Sequence, residues 1–148
     1  MAEKKISQLT AKGAALAATD LLVVSEDAGG GSYTTKSVTG ANILSPRVQS
    51  VTSSATVTAT SANDLVKVTA QAAGLTLANP TGTFVEGQAL IFRIKDNGTA
   101  RSIGFDTKFR AIGVTLPTTT TISKTTYVGC IYNSTDDKFD VIASLTEA

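Results

Sequence analysis

The segment ALIFRIKDNGTARSIGF, residues 89–105, places the strongest constraint on the fold of this chain. Apolar side chains occupy every second position from Leu90 to Ile94, with charged side chains beside them. This alternation puts the apolar side chains on one face of a β-strand and the charged ones on the other. Asn97-Gly98 is a preferred pair for a two-residue hairpin turn. The segment therefore predicts a hairpin whose return strand contains residues 103–105.

The rest of the second half of the chain has the same character. Short strand-like runs at 55–60, 65–70 and 74–78 are separated by turn residues, and a final pair, TYVGCIYN and KFDVIASL, flanks the polar loop NSTDD. The 24 threonines favour strands because their β-branched side chains suit a pleated surface. We therefore predict an all-β fold with a β-sandwich or jelly-roll-like domain.

The N-terminal part carries a second hairpin signal in DLLVVSEDAGGGSYTTKSVT, residues 20–39. The glycines at 29–31 allow a tight tip. The first strand is apolar on both faces, so both faces need cover, and we expect the face of Leu22 and Val24 to meet a partner. Pro46 interrupts the pattern, which divides the chain into an N-terminal module, 1–46, and a β-sandwich domain, 47–148.

Composition excludes several classes of function. The net charge of +1, without a basic cluster, argues against nucleic acid and anionic membranes as partners. No segment approaches the roughly 20 apolar residues of a membrane span. Histidine is absent, which removes the commonest general base and metal ligand, and no phosphate-binding or nucleophile motif is present. We expect no enzyme activity, no cofactor and no metal site.

Three features leave weaker alternatives open. Cys130 lies alone in a strand-like run and reads as a buried structural thiol. Asp136, Asp137 and Asp140 could hold a hard cation, although acidic residues are ordinary in an exposed turn. Sugar binding needs aromatic platforms, and the odd spacing of Tyr127 and Tyr132 points them to opposite faces of one strand.

Three spaced motifs carry a resemblance: K-K-I-S-x-L at 4–9, T-D-L-L at 19–22 and T-x-K-x-V-T at 34–39. They resemble a module near the N-termini of tailed-bacteriophage virion proteins. The region from Leu65 to the end is similar to a β-sandwich domain of the same class. The resemblance implies a virion structural protein, a capsid decoration (cement) or short head-fibre protein that attaches through its N-terminal module. A tail-fibre or baseplate adaptor and a glycan- or receptor-binding module are the alternatives.

The resemblance also implies partners and a location. The partners are further copies of the chain, as a homotrimer, and other virion proteins such as the major capsid protein. A host glycan is an additional partner to consider. The location is the virion, assembled in the host cytoplasm. The aromatic-poor core also favours an oligomer. We assign the protein-interaction residues to the N-terminal module: Ile6, Leu9, Leu21, Leu22, Val23, Val24, Tyr33 and Val38.

Overall fold

The structure is a computed structural model that describes residues 21–27, 33–39, 43 and 45–148. The protein is all-β, as expected, and every element of the described residues is a strand. The chain divides into two compact units, Met1–Ser45 and Pro46–Ala148. Each unit is described below by itself.

The described part of the first unit is an antiparallel pair of strands, β1 (Leu21–Asp27) and β2 (Tyr33–Thr39). The register runs from the pair Leu21 and Thr39 to the pair Asp27 and Tyr33. The glycines expected at the tip lie outside the described residues.

The second unit has nine strands in two sheets. They are β3 (Val48–Val51), β4 (Thr56–Thr60), β5 (Leu65–Gln71), β6 (Leu75–Thr81), β7 (Ala89–Asp96), β8 (Ile103–Phe105), β9 (Phe109–Ala111), β10 (Thr125–Asn133) and β11 (Lys138–Thr146). A six-stranded sheet has the order β3-β5-β7-β10-β11-β9, and a three-stranded sheet has the order β4-β6-β8.

From β3 to β8 the chain passes alternately from one sheet to the other. Successive strands of each sheet are therefore parallel: β3 with β5 and β5 with β7 in the large sheet, and β4 with β6 and β6 with β8 in the small one. Only β7–β10 and β10–β11 are antiparallel among the second unit's strand pairs. This pairing differs from a jelly roll, which is built from antiparallel strands.

The expected hairpin at Asn97-Gly98 is wrong. Gly98 does have a positive φ of 103°, but β7 pairs with β5 and β10, whereas β8 pairs with β6. Asp96 explains the difference, because its buried carboxylate accepts hydrogen bonds from Gly98 N at 2.7 Å and Ser123 N at 2.9 Å. These bonds fix a corner at which the chain leaves one sheet for the other.

The expected final hairpin is confirmed. β10 and β11 pair antiparallel on either side of the NSTDD loop, with a bulge between Gly129 and Cys130. The strands expected at 55–60, 65–70 and 74–78 are also present as β4, β5 and β6. The β6 strand continues through Pro80 to Thr81, beyond the expected strand-like run at 74–78.

The core of the second unit contains side chains from both sheets. Its largest fully buried apolar side chains are Phe92, Phe139, Leu75, Leu77, Leu90 and Ile94. Phe109 joins this core, with its ring centroid 5.7 Å from that of Phe92 and 5.9 Å from that of Phe139. Phe84, Phe105 and Tyr132 pack against these rings, whereas Tyr127 is exposed.

Candidate functional site

The four aliphatic residues of β1 are exposed. Leu21 and Val23 are 65% and 64% exposed, and Leu22 and Val24 are each 39% exposed. Fully burying an aliphatic side chain contributes about 1.5–3 kcal/mol, so this strand retains much unused apolar surface. A soluble protein that exposes a contiguous apolar patch usually uses it for binding.

Of the two faces of β1, the one with Leu21 and Val23 is more exposed. Their cross-strand partners on β2 are Thr39 and Ser37. We had expected the face with Leu22 and Val24 to meet a partner; this face retains less apolar surface, and its contact stays a prediction. We therefore assign first place among the candidate contacts of the first unit to Leu21 and Val23.

The remaining expected contact residues lie in or near the same module. Val38 is half-buried and pairs with Leu22 across the hairpin. Tyr33 begins β2 and pairs with Asp27, but its side chain lies outside the described residues. Ile6 and Leu9 also lie outside them. Their roles stay predictions.

The outer face of the six-stranded sheet is a second exposed surface, and sequence reasoning missed it. Lys67, Arg93, Tyr127 and Leu145 are consecutive partners on β5, β7, β10 and β11, so they form one row across the sheet. The neighbouring row contains Leu65 and Ile91 on β5 and β7. The alternation in ALIFRIK assigned Arg93 and Lys95 to an outward face, but it could not show which strands lie beside them.

A shallow depression of about 220 Å³ lies on this face. Its lining residues come from three adjacent strands: Val68, Thr69, Arg93, Lys95, Thr125 and Tyr127. Tyr127 is 42% exposed, whereas Tyr132 packs against the core. The expectation that these two tyrosines face opposite ways is confirmed.

The acidic residues in and beside the last loop form ion pairs with basic side chains of the same chain. Arg110 donates two hydrogen bonds to Asp140, at 2.8 and 3.1 Å, and one to Asp136 at 2.8 Å. Lys108 Nζ lies 2.7 Å from Asp137 Oδ2. The hydrogen bonds from Arg110 lower the pKa of Asp140, and those from Lys108 and Tyr132 lower the pKa of Asp137. A cation at this loop would have to displace these side chains.

Two further ionisable groups, the thiol of Cys130 and the carboxyl group of Asp96, are buried in the second unit. Cys130 is buried, as expected, and burial raises the pKa of its thiol to about 12, so the thiolate is scarce at neutral pH. Burial alone would raise the pKa of Asp96, but hydrogen bonds from Thr120, Ser123 and Gly98 outweigh it, and the pKa lies below its usual value. Both groups hold the fold of the second unit rather than face a cleft.

Neither the described residues nor any similarity to known proteins gives an independent assignment. The part of the chain that the structure describes contains no group of three or more histidine, cysteine, aspartate or glutamate side chains suited to a metal ion. Nor does that part contain a helix long and apolar enough to cross a membrane. No protein family, curated protein or solved structure matches the chain.

Proposed function

We propose that this chain is a bacteriophage virion structural protein, a capsid decoration or short head-fibre protein without enzymatic activity. Residues 1–46 are the attachment module and residues 47–148 form a β-sandwich-like domain that stabilises the particle or projects from it. The protein works as a homotrimer, and its partners are the other copies and a virion protein such as the major capsid protein.

The exposed aliphatic strand β1 is the observation that carries this proposal. A two-stranded hairpin is marginally stable by itself in water, and β1 leaves Leu21 and Val23 about two thirds exposed. Binding of a partner would remove this apolar surface from water, which would stabilise the complex. We therefore assign the contact between this chain and the particle to β1.

Ion pairs between neighbouring segments of the second unit support a structural role. Arg47 is paired with Asp64 at 2.6 Å, and Arg110 with Asp136 and Asp140 at 2.8 Å, so these groups join neighbouring segments. Cys130 is shielded from solvent. A β domain next to a separate N-terminal unit agrees with the motifs that resemble virion proteins.

The direct test is to look for the chain in purified particles of the phage whose genome encodes it. Mass spectrometry should find the chain in stoichiometric amounts, and antibody-gold labelling should place it on the head. Light scattering behind gel filtration should give three times the mass of one chain. A protein absent from washed particles would contradict the virion assignment, and a clean monomer at micromolar concentration would contradict the trimer.

A further inference from the structure

Two cations on the outer face of the six-stranded sheet have no counter-charge within the part of the chain that the structure describes. Lys67 and Arg93 are partners on the parallel strands β5 and β7, and two like charges side by side repel each other. Among the residues that the structure describes, no carboxylate pairs with either side chain. The neighbouring Lys95 differs, because its Nζ donates to Ser123 O at 2.7 Å and lies 3.4 Å from Glu147 Oε2. An anion held between Lys67 and Arg93 would relieve this repulsion.

An aromatic ring and two hydroxyl groups lie beside these cations. Tyr127, the cross-strand partner of Arg93, presents an exposed ring on the same face. Thr69 and Thr125 add hydroxyl groups to the lining of the depression. Its volume of about 220 Å³ is below the roughly 300–1,000 Å³ of sites for drug-sized ligands. The depression therefore suits a single ring rather than a larger molecule.

We propose that this depression binds a carboxylate-bearing sugar, such as a uronic acid residue of an acidic polysaccharide. Arg93, which lines the depression, donates two hydrogen bonds to the carboxylate, for which the planar guanidinium is suited. Lys67 lies outside the lining but beside Arg93 on the neighbouring strand, and it adds a second positive charge. The apolar face of the ring lies on Tyr127, while the hydroxyl groups of Thr69 and Thr125 bind those of the sugar.

An acidic peptide is the competing ligand for the two cations. It would use Lys67 and Arg93, but a carboxylate on a flexible aliphatic stem leaves the tyrosine ring and the threonine hydroxyls without a use. A neutral sugar would use the ring and the hydroxyls and leave the cations without a counter-charge. The combination favours an acidic sugar. This inference goes beyond the proposed assembly role and does not depend on it.

Titration of the full-length, ¹⁵N-labelled protein with sodium glucuronate and digalacturonate tests the proposal. Amide signals of the residues that line the depression should shift together, with weaker binding at high salt because the contact is electrostatic. Glucose at the same concentrations should bind at least about tenfold more weakly, as expected when a charge-assisted contact is lost. Poly-L-glutamate and sodium sulfate serve as the peptide and simple-anion probes.

Variants assign the binding to named side chains. Arg93→Gln should weaken glucuronate binding at least about tenfold, and Tyr127→Val should weaken it while leaving the response to sulfate unchanged. Lys138→Gln is the matched control, because this lysine donates to Thr107 O at the far end of β11, and it should bind like the parent. Dispersed spectra of each variant establish that it is folded.

Several results would overturn the proposal: no shifts with either uronate, equal shifts with glucose, unchanged binding by a folded Arg93→Gln variant, or tighter binding of poly-L-glutamate. The last result would identify the face as a site for acidic peptides. None of these results bears on whether the chain is found in virions, so the two proposals fail separately.

Discussion

Replacing both Leu21 and Val23 with aspartate should strongly weaken attachment without unfolding the protein. The side chains are 65% and 64% exposed, so a partner can bury about two thirds of each. At about 1.5–3 kcal/mol for full burial, each contributes about 1–2 kcal/mol to binding, and the pair about 2–4 kcal/mol. Aspartates at these positions would also have to lose their hydration without a counter-charge. The dissociation constant should therefore rise at least about 30-fold.

Rebinding to particles that lack the protein measures attachment, and thermal melting measures the stability of the free protein. The matched control is Val85→Asp with Ile122→Asp, two aliphatic residues of the second unit that are 66% and 57% exposed. This control should bind normally. Normal particle binding by the Leu21 and Val23 double variant would refute the reasoning. A fall of its melting temperature by several degrees would show instead that β1 is covered within its own chain.

Three predictions concern the second unit. A chain of residues 46–148 should be folded by circular dichroism but should not bind particles, and an unfolded fragment would show that the two units depend on each other. Gly82→Ala should lower the free energy of unfolding in urea more than Gly87→Ala. Both glycines have a positive φ, but only the added methyl group at position 82 would clash with Ser61. Equal losses would contradict this explanation. The lowered pKa of Asp96 contributes stability that is present above its unfolded value near 3.9 and is lost as pH falls through its folded value. Asp96→Asn should therefore weaken the acid dependence of unfolding, measured by melts from pH 7 to pH 3, and an unchanged dependence would exclude Asp96 as a source.

The candidate surfaces could be predicted from sequence only in part. Four consecutive aliphatic residues at 21–24 are visible in the sequence, but their exposure is a result of the structure. The outer-face site could not be predicted in the same way. Lys67, Arg93 and Tyr127 are separated by 26 and 34 positions in the chain, and only the pairing of β5, β7 and β10 brings them into one row. No local signal indicates such a pairing.

The loop carboxylates show the same limit. Asp136, Asp137 and Asp140 are close in sequence, which suggested a cation site. The structure pairs them with Arg110 and Lys108, from the segment that precedes and forms β9. The parallel pairing of β9 with β11 places Arg110 opposite Asp140. A cluster of charges in one segment thus says little until the opposite segment is known.

The sequence by itself determined the all-β class and the positions of most strands, because alternation, β-branching and turn residues act over a few neighbouring positions. Only the tertiary structure decided how the strands pair. Asn97-Gly98 is a strong local turn signal, yet β7 and β8 belong to different sheets because buried Asp96 binds Ser123 and Thr120 from a distant segment. Burial and hydrogen bonding between distant segments outweighed the local preference, and the same pairing created the outer face.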